Sequence, residues 1–126
     1  MKAVLVDTSA WVDHFRLGND VLVELLELDL VMAHPLIVGE IACGTPPRRI
    51  QTLSDLNGLQ QVQQVSAREV LDFIERERLF GLGCGLVDLM LLASALITPG
   101  VALWTLDKRL SALAERFNVL HRPTIH

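Results

Sequence analysis

An apolar run near the amino terminus, Ala3-Val4-Leu5-Val6, constrains the fold more than any other segment. Four consecutive apolar residues, two of them β-branched, predict a short strand that is buried on both faces, as in parallel sheets covered by helices. The run ends at Asp7, which is followed by Thr8 and Ser9. Open α/β sheets bind ligands at the carboxyl ends of their strands, so Asp7 is either a helix cap or a ligand-binding carboxylate.

Strand and helix patterns alternate along the rest of the chain. Turn residues and amphipathic spacing predict helices between the strands, among them one that begins at Pro46-Pro47 and one opened by the Ser66 capping box. Alternating units with right-handed crossovers predict an α/β fold, a three-layer α/β/α sandwich around a central, mostly parallel sheet. Further strands are predicted at 30–33, 60–65, 101–105 and, as a short final strand, at 119–120.

Length and composition favour a single domain over residues 1–126 with a substantial core, since 51% of the residues are hydrophobic. The net charge of −4 argues against a protein that coats duplex nucleic acid with a basic face. It still permits a nucleic acid substrate, because a bound divalent metal inverts the local charge. Cys43 and Cys84 form no C-x-x-C motif and are expected to be reduced, buried thiols. We expect a cytoplasmic protein without a membrane segment.

Three further acids, Glu40, Asp88 and Asp107, lie beside or within apolar segments. Glu40 interrupts an apolar helix pattern, which weakens its interpretation as part of a solvated face. Asp88 stands in the first turn of a predicted helix and Asp107 follows a predicted strand, so each could also cap its helix.

Together the four acids are more specific than any one of them. Asp7 and Asp107 leave parallel strands at the same edge of the sheet, and the helices carrying Glu40 and Asp88 begin near that edge. Converging carboxylates repel one another, and a hard cation with oxygen ligands relieves the repulsion. Magnesium or manganese fits, whereas zinc does not, because no paired Cys/His spacing exists. Such a metal suits phosphodiester hydrolysis.

Four short motifs, in order, carry a resemblance that covers essentially the whole chain. The chain resembles PIN-domain ribonucleases, most closely the VapC-type toxins of bacterial toxin–antitoxin pairs. The motifs are Val6-Asp7-Thr8-Ser9-Ala10-Trp11, Glu40 followed by Gly44, Val87-Asp88-Leu89 leading into Ala93, and Leu103-Trp104-Thr105-Leu106-Asp107-Lys108-Arg109-Leu110.

The resemblance implies a PIN-like fold and a magnesium-dependent endoribonuclease whose catalytic residues are the acidic quartet Asp7, Glu40, Asp88 and Asp107, with Thr105. It implies that Asp7, Asp88 and Asp107 bind Mg²⁺, with Mn²⁺ as a substitute, and that Thr105 and Ser9 support the site by hydrogen bonding. It also implies an RNA substrate, a cognate antitoxin protein that blocks the site, and a homodimer.

One position departs from the family pattern, since many members carry a further acid where this chain has Arg109. Arg109 and Lys108 are either phosphate contacts for RNA or part of a solvated helix face. His14, His34, His121 and His126 show no ligand spacing, and Trp11 and Trp104 are expected to pack in the core or in a partner groove.

Rival functions fit less well. A haloacid-dehalogenase-type phosphatase requires a second Asp where Ser9 stands, and a receiver domain requires an acidic pair and a mid-chain Asp that are missing. The remaining alternative is a catalytically weak or inactive partner-binding PIN-like domain.

Overall fold

A computed structural model describes residues 2–123 of the chain. Seven helices and four strands lie within these residues. The strands are β1 (Ala3–Val6), β2 (Val31–Ala33), β3 (Gln60–Gln61) and β4 (Val101–Trp104). The helices are α1 (Thr8–Leu17), α2 (Asp20–Glu27), α3 (Pro35–Ala42), α4 (Arg49–Asn57), α5 (Ala67–Glu77), α6 (Leu86–Ile97) and α7 (Lys108–Arg116).

The four strands form one parallel sheet in the order β3-β2-β1-β4. The chain moves from β1 through β2 to β3 in one direction, and then crosses back past β1 to reach β4 on the other side. With right-handed crossovers, this reversal places α1–α4 on one face of the sheet and α5–α7 on the other. The prediction of an α/β sandwich with a parallel central sheet is confirmed.

Reversal of the strand order creates a crevice between β1 and β4. Helices that follow the two strands leave toward opposite faces, and the carboxyl ends of strands at such a point are where open α/β sheets bind ligands. Val6 of β1 is in register with Trp104 of β4. The segments beginning at Asp7 and Thr105 therefore enter this crevice side by side.

The apolar run that opens the chain forms the centre of the core. Val4, Leu5 and Val6 are at most 1% exposed, and all of β4 is buried. Trp11 and Trp104 also lie in the core, each 4% exposed, which confirms the expectation of core packing over a partner groove. Burial of side chains of this size on both faces of a central strand stabilises it by about 1.5–3 kcal/mol per residue.

Several predicted element boundaries differ from the structure, by one residue in β2 and β4 and by more in β3 and α4. The third strand ends at Gln61 rather than at residue 65, because its partner β2 has only three residues, and the N–H of Gln63 bonds instead to Thr98 Oγ1 at 2.9 Å. Helix α4 begins at Arg49 rather than at the prolines, because Arg48 at its N-cap has a left-handed backbone conformation with a φ of 46°. The predicted final strand is a single parallel bridge between Leu103 and Leu120.

The expectation that both cysteines are buried is wrong. Both thiols are free, but Cys43 is exposed and Cys84 is partly exposed. Cys43 follows the last turn of α3, whose buried face is formed by Ile37, Val38 and Ile41, so the thiol lies on the solvent side. Within residues 2–123, the helices are all too short or too polar to cross a bilayer. His126 lies outside the described residues.

Candidate active site

Asp7 is a buried carboxylate at the carboxyl end of the central strand β1. It is 6% exposed, and its backbone N–H bonds to Trp104 O on β4 at 2.8 Å. Asp7 stands at the N-cap position of α1, yet its side chain makes no capping hydrogen bond. Its Oδ2 accepts hydrogen bonds from Thr105 Oγ1 at 2.8 Å and from Ser9 Oγ at 3.0 Å. The cap interpretation therefore fails for Asp7, whose carboxylate bonds to Ser9 and Thr105 instead.

Two hydroxyl groups hold this carboxylate and tie the ends of β1 and β4 together. Ser9 Oγ and Thr105 Oγ1 are 3.3 Å apart. Ser9 Oγ also accepts the N–H of Leu106 at 2.9 Å, and Thr105 Oγ1 accepts the N–H of Asp107 at 3.1 Å. Thr105 is itself 5% exposed. The orientation of Asp7 is consequently set by the loop that carries Asp107.

Asp107 combines a capping role with a position at the crevice. Its Oδ1 accepts the N–H groups of Arg109 and Leu110 at 2.9 and 3.0 Å, which caps α7. The side chain is exposed. The cap interpretation is confirmed for Asp107, and its Oδ2 forms no hydrogen bond within residues 2–123.

Asp88 enters from the other face of the sheet, in the first turn of α6. Its Oδ2 reaches back to the N–H of Gly85 at 3.4 Å, a weak capping contact. Partial burial raises the pKa of the Asp88 carboxyl above its ordinary value, and the negative charges of Asp7, Asp107 and Glu40 raise that pKa further. The bond to Gly85 acts in the opposite direction. The four carboxylates therefore interact, with Asp88 as their common neighbour.

Glu40 lies at the outer side of this group. It is exposed on α3, so the apolar residues around it in the sequence do not bury it. Its Oε1 accepts a hydrogen bond from Thr8 Oγ1 at 2.7 Å, which fixes the side chain to the start of α1. A cleft of about 420 Å³ opens beside this pair, between α1 and the loop that follows α3.

No basic side chain neutralises the quartet within the part of the chain that the structure describes. Ion pairs there involve only Glu77 and Glu115 as acids, both far from the crevice in sequence. No three carboxylate, imidazole or thiolate groups of residues 2–123 converge into a complete metal-binding cluster. The quartet is thus a set of interacting carboxylates around an opening rather than a closed cage.

Thr8 is a site residue that the sequence did not predict. Neither Thr8 nor Ser9 caps α1 with its side chain, because Thr8 bonds to Glu40 and Ser9 to Asp7. A hydroxyl pair directly after a strand-ending Asp is a signal for such contacts, but which carboxylate each hydroxyl meets depends on packing across the fold.

Comparisons with known proteins identify the family and the fold. The PIN domain family matches residues 4–116. The chain is 45% identical over 116 residues to Ribonuclease VapC32 of Mycobacterium tuberculosis, in strain H37Rv and in strain CDC 1551 / Oshkosh, covering 92% of this chain and 94% of the relative. The crystal structure of PAE2754 from Pyrobaculum aerophilum has the same fold, with a TM-score of 0.59 at 18% identity over 93% of this chain and 90% of that one. The chain therefore belongs to the PIN domain family and, within it, groups with the VapC proteins.

Proposed function

We propose that this protein is a metal-dependent endoribonuclease and the toxin of a toxin–antitoxin pair. The observation that carries the proposal is the group of four interacting carboxylates, Asp7, Glu40, Asp88 and Asp107, at the opening between β1 and β4. The ribonuclease name of the 45% identical relatives supports RNA as the substrate.

The donor set fits a hard divalent cation. Asp7 is buried without a basic partner among residues 2–123, and the other acids raise the pKa of Asp88, so a cation would relieve an unfavourable charge. Mg²⁺ commonly keeps several waters and uses only one or two carboxylates, which suits an open set of acids. The acids that would hold it, directly or through its bound waters, are Asp7, Asp88 and Asp107, with Mn²⁺ as a substitute. When bound, the ion supplies an activated water and charge stabilisation at the phosphate.

The protein's own residues supply orientation. Thr105 and Ser9 hold Asp7 Oδ2 in place, and Asp107 is held by the α7 cap that uses its Oδ1. Thr8 orients Glu40 at the outer edge of the crevice, where its Oε2 is left for water or substrate. Carboxylates that are already positioned need little rearrangement during the reaction.

The test is digestion of total cellular RNA by the purified protein, with sites mapped by end sequencing. We expect cleavage with Mg²⁺ or Mn²⁺, none in excess chelator, and a loss of at least about 100-fold in Asp7→Asn. Asp72→Asn, which removes an exposed acid on α5, is the matched control and should cleave normally. Cleavage that persists in chelator, or in Asp7→Asn, would contradict the proposal.

The toxin role predicts growth arrest on expression, which a small protein encoded beside the gene should relieve by binding the crevice. We also propose a homodimer, which the resemblance to VapC-type toxins implies. Light scattering coupled to size-exclusion chromatography would measure the mass, and a monomer at micromolar concentration would contradict the dimer.

A catalytically inactive, partner-binding domain is the second candidate. The absence of a complete three-ligand cluster among residues 2–123 favours it. The same digestion separates the two candidates, because an inactive domain would bind its antitoxin without cleaving RNA at any metal concentration.

A further inference from the structure

Arg109 occupies a position that helix electrostatics do not favour. It is the second residue of α7, and Lys108 is the first, so two positive charges lie at the helix end that already carries a partial positive charge. The helix has no acid in its first turn apart from the cap residue Asp107. Stabilisation of the helix therefore does not account for Arg109.

The Arg109 side chain packs against Gly83 in the loop before α6. Gly83 has a φ of +87°, and a Cβ added there would lie 2.5 Å from Arg109 Cδ and 2.9 Å from its Nε and Nη1. Real Cβ atoms do not approach other atoms so closely, so the guanidinium lies directly over a glycine that no other residue could replace without moving it. The bond from Nη1 to Gly83 O is long, at 3.5 Å.

Most of the guanidinium donors remain free at the edge of the carboxylate group. Among residues 2–123, Arg109 forms no ion pair with an acid. It nevertheless acts on the same surroundings as the quartet. Burial raises the pKa of the Cys84 thiol, Asp88 and Asp107 raise that pKa further, and Arg109 lowers it. A fork of N–H donors beside a set of acids, paired with none of them, suits a bidentate anion brought from outside.

We propose that Arg109, whose side chain packs on Gly83, binds a backbone phosphate of the RNA at the carboxylate crevice. This inference rests on the proposed function. A phosphodiester that approaches the crevice meets four negative charges, and Arg109 offsets part of that repulsion on the α7 side. Within residues 2–123 no comparable contact is found for the neighbouring Lys108, so we expect it to contribute little to RNA binding.

The experiment measures RNA binding where cleavage is blocked. In an Asp7→Asn background with Mg²⁺, a fluorescently labelled, unstructured RNA of mixed sequence is titrated by anisotropy at several salt concentrations. We expect Arg109→Gln to weaken binding on the order of tenfold and to lower the slope of log K against log salt by about 0.7, the value for one phosphate contact in single strands. Arg109→Lys should retain most of the slope, since it keeps the charge.

Lys108→Gln is the matched control, because it removes one positive charge from the same turn of the same helix. It should bind within about twofold of the parent, with an unchanged salt slope. Both substitutions relieve the same helix dipole, so neither should lower the melting temperature. A purely structural role for Arg109 would instead lower the melting temperature and leave the salt slope unchanged.

Gly83→Ala tests the contact between Gly83 and Arg109. It should displace the Arg109 side chain and reproduce the loss of RNA affinity seen in Arg109→Gln. The two changes together should lower the affinity no more than either alone. Equal losses in Lys108→Gln and Arg109→Gln, or binding of Arg109→Gln within twofold of the parent, would overturn the assignment while leaving the nuclease proposal intact. If the wild-type protein neither binds nor cleaves RNA, both the nuclease proposal and the assignment of Arg109 are wrong.

Discussion

Asp7 shows how hydroxyl groups can fix the orientation of a buried carboxylate. It is 6% exposed and accepts two hydroxyl hydrogen bonds at one oxygen. Ser9 and Thr105 can rotate their hydroxyl groups, but both are also fixed by backbone N–H groups of the β4–α7 loop. A hydrogen bond to a charged group contributes about 1.5–3 kcal/mol, so these hydroxyls stabilise the carboxylate and fix its orientation.

Removal of one hydroxyl should therefore impair the site more than the fold. Thr105→Val keeps the branched shape but leaves Asp7 Oδ2 with a single donor, and we expect RNA cleavage to fall by about 10–100-fold, as for residues that orient metal ligands. Thr105→Ser keeps the hydroxyl and should cleave within a few fold of wild type. Initial rates at saturating Mg²⁺ provide the measurement. Equal activity of the Val and Ser variants would show that the hydroxyl is not needed.

Helix α3, which carries Glu40, begins at a buried histidine. His34 is 1% exposed, and its Nδ1 accepts the N–H of Leu36 at 3.0 Å, so the side chain acts as the N-cap. An accepting Nδ1 requires the neutral ring with its proton on Nε2. Burial accordingly lowers the pKa of His34 below its ordinary value near 6.5.

This histidine should make the stability of the protein depend on pH. The unfolded chain takes up a proton as the pH falls below 6.5, whereas folded His34 stays neutral, so protonation favours unfolding. The stabilisation is complete above pH 6.5 and is lost as the pH falls from there toward the lower folded pKa. His34→Asn keeps a capping oxygen and removes the titration, so urea unfolding of this variant should depend less on pH. An unchanged pH dependence would contradict this assignment.

Mutual repulsion among four carboxylates from different elements links the stability of the whole molecule to the binding of a cation. Asp7, Glu40, Asp88 and Asp107 come from the ends of β1 and β4 and from α3 and α6, so folding itself brings their charges together. The unfolded chain has no such cluster. Any cation that binds only the folded protein will therefore stabilise it by mass action.

Asp88→Asn should raise the melting temperature of the metal-free protein at neutral pH by a few degrees, because it removes the acid on which the other three act. Mg²⁺ should stabilise the wild type by about 2.7 kcal/mol at a concentration about 100 times its Kd, and Asp88→Asn by less. Differential scanning calorimetry with and without Mg²⁺ measures both effects. Asp72→Asn should respond to Mg²⁺ like the wild type, and an identical response from Asp88→Asn would argue against the charge linkage.

Much of the architecture could be predicted from local pattern. The run Ala3–Val6, the capping box at Ser66 and the Gly18 turn each encode their structure through side chains that are neighbours in the chain. The boundaries of β3 and α4 could not be predicted, because the length of β2 limits β3 and the left-handed backbone of Arg48 delays the start of α4.

The sequence by itself determined a buried parallel strand that ends in a carboxylate, and three more acids beside or within apolar segments. Only the tertiary structure decided which groups meet. Thr105 reaches Asp7 across 98 residues, Thr8 reaches Glu40 across 32, and Arg109 rests on Gly83. The reason is physical, because periodicity encodes which face of an element is buried, whereas the order of strands in the sheet decides which buried or exposed groups become neighbours.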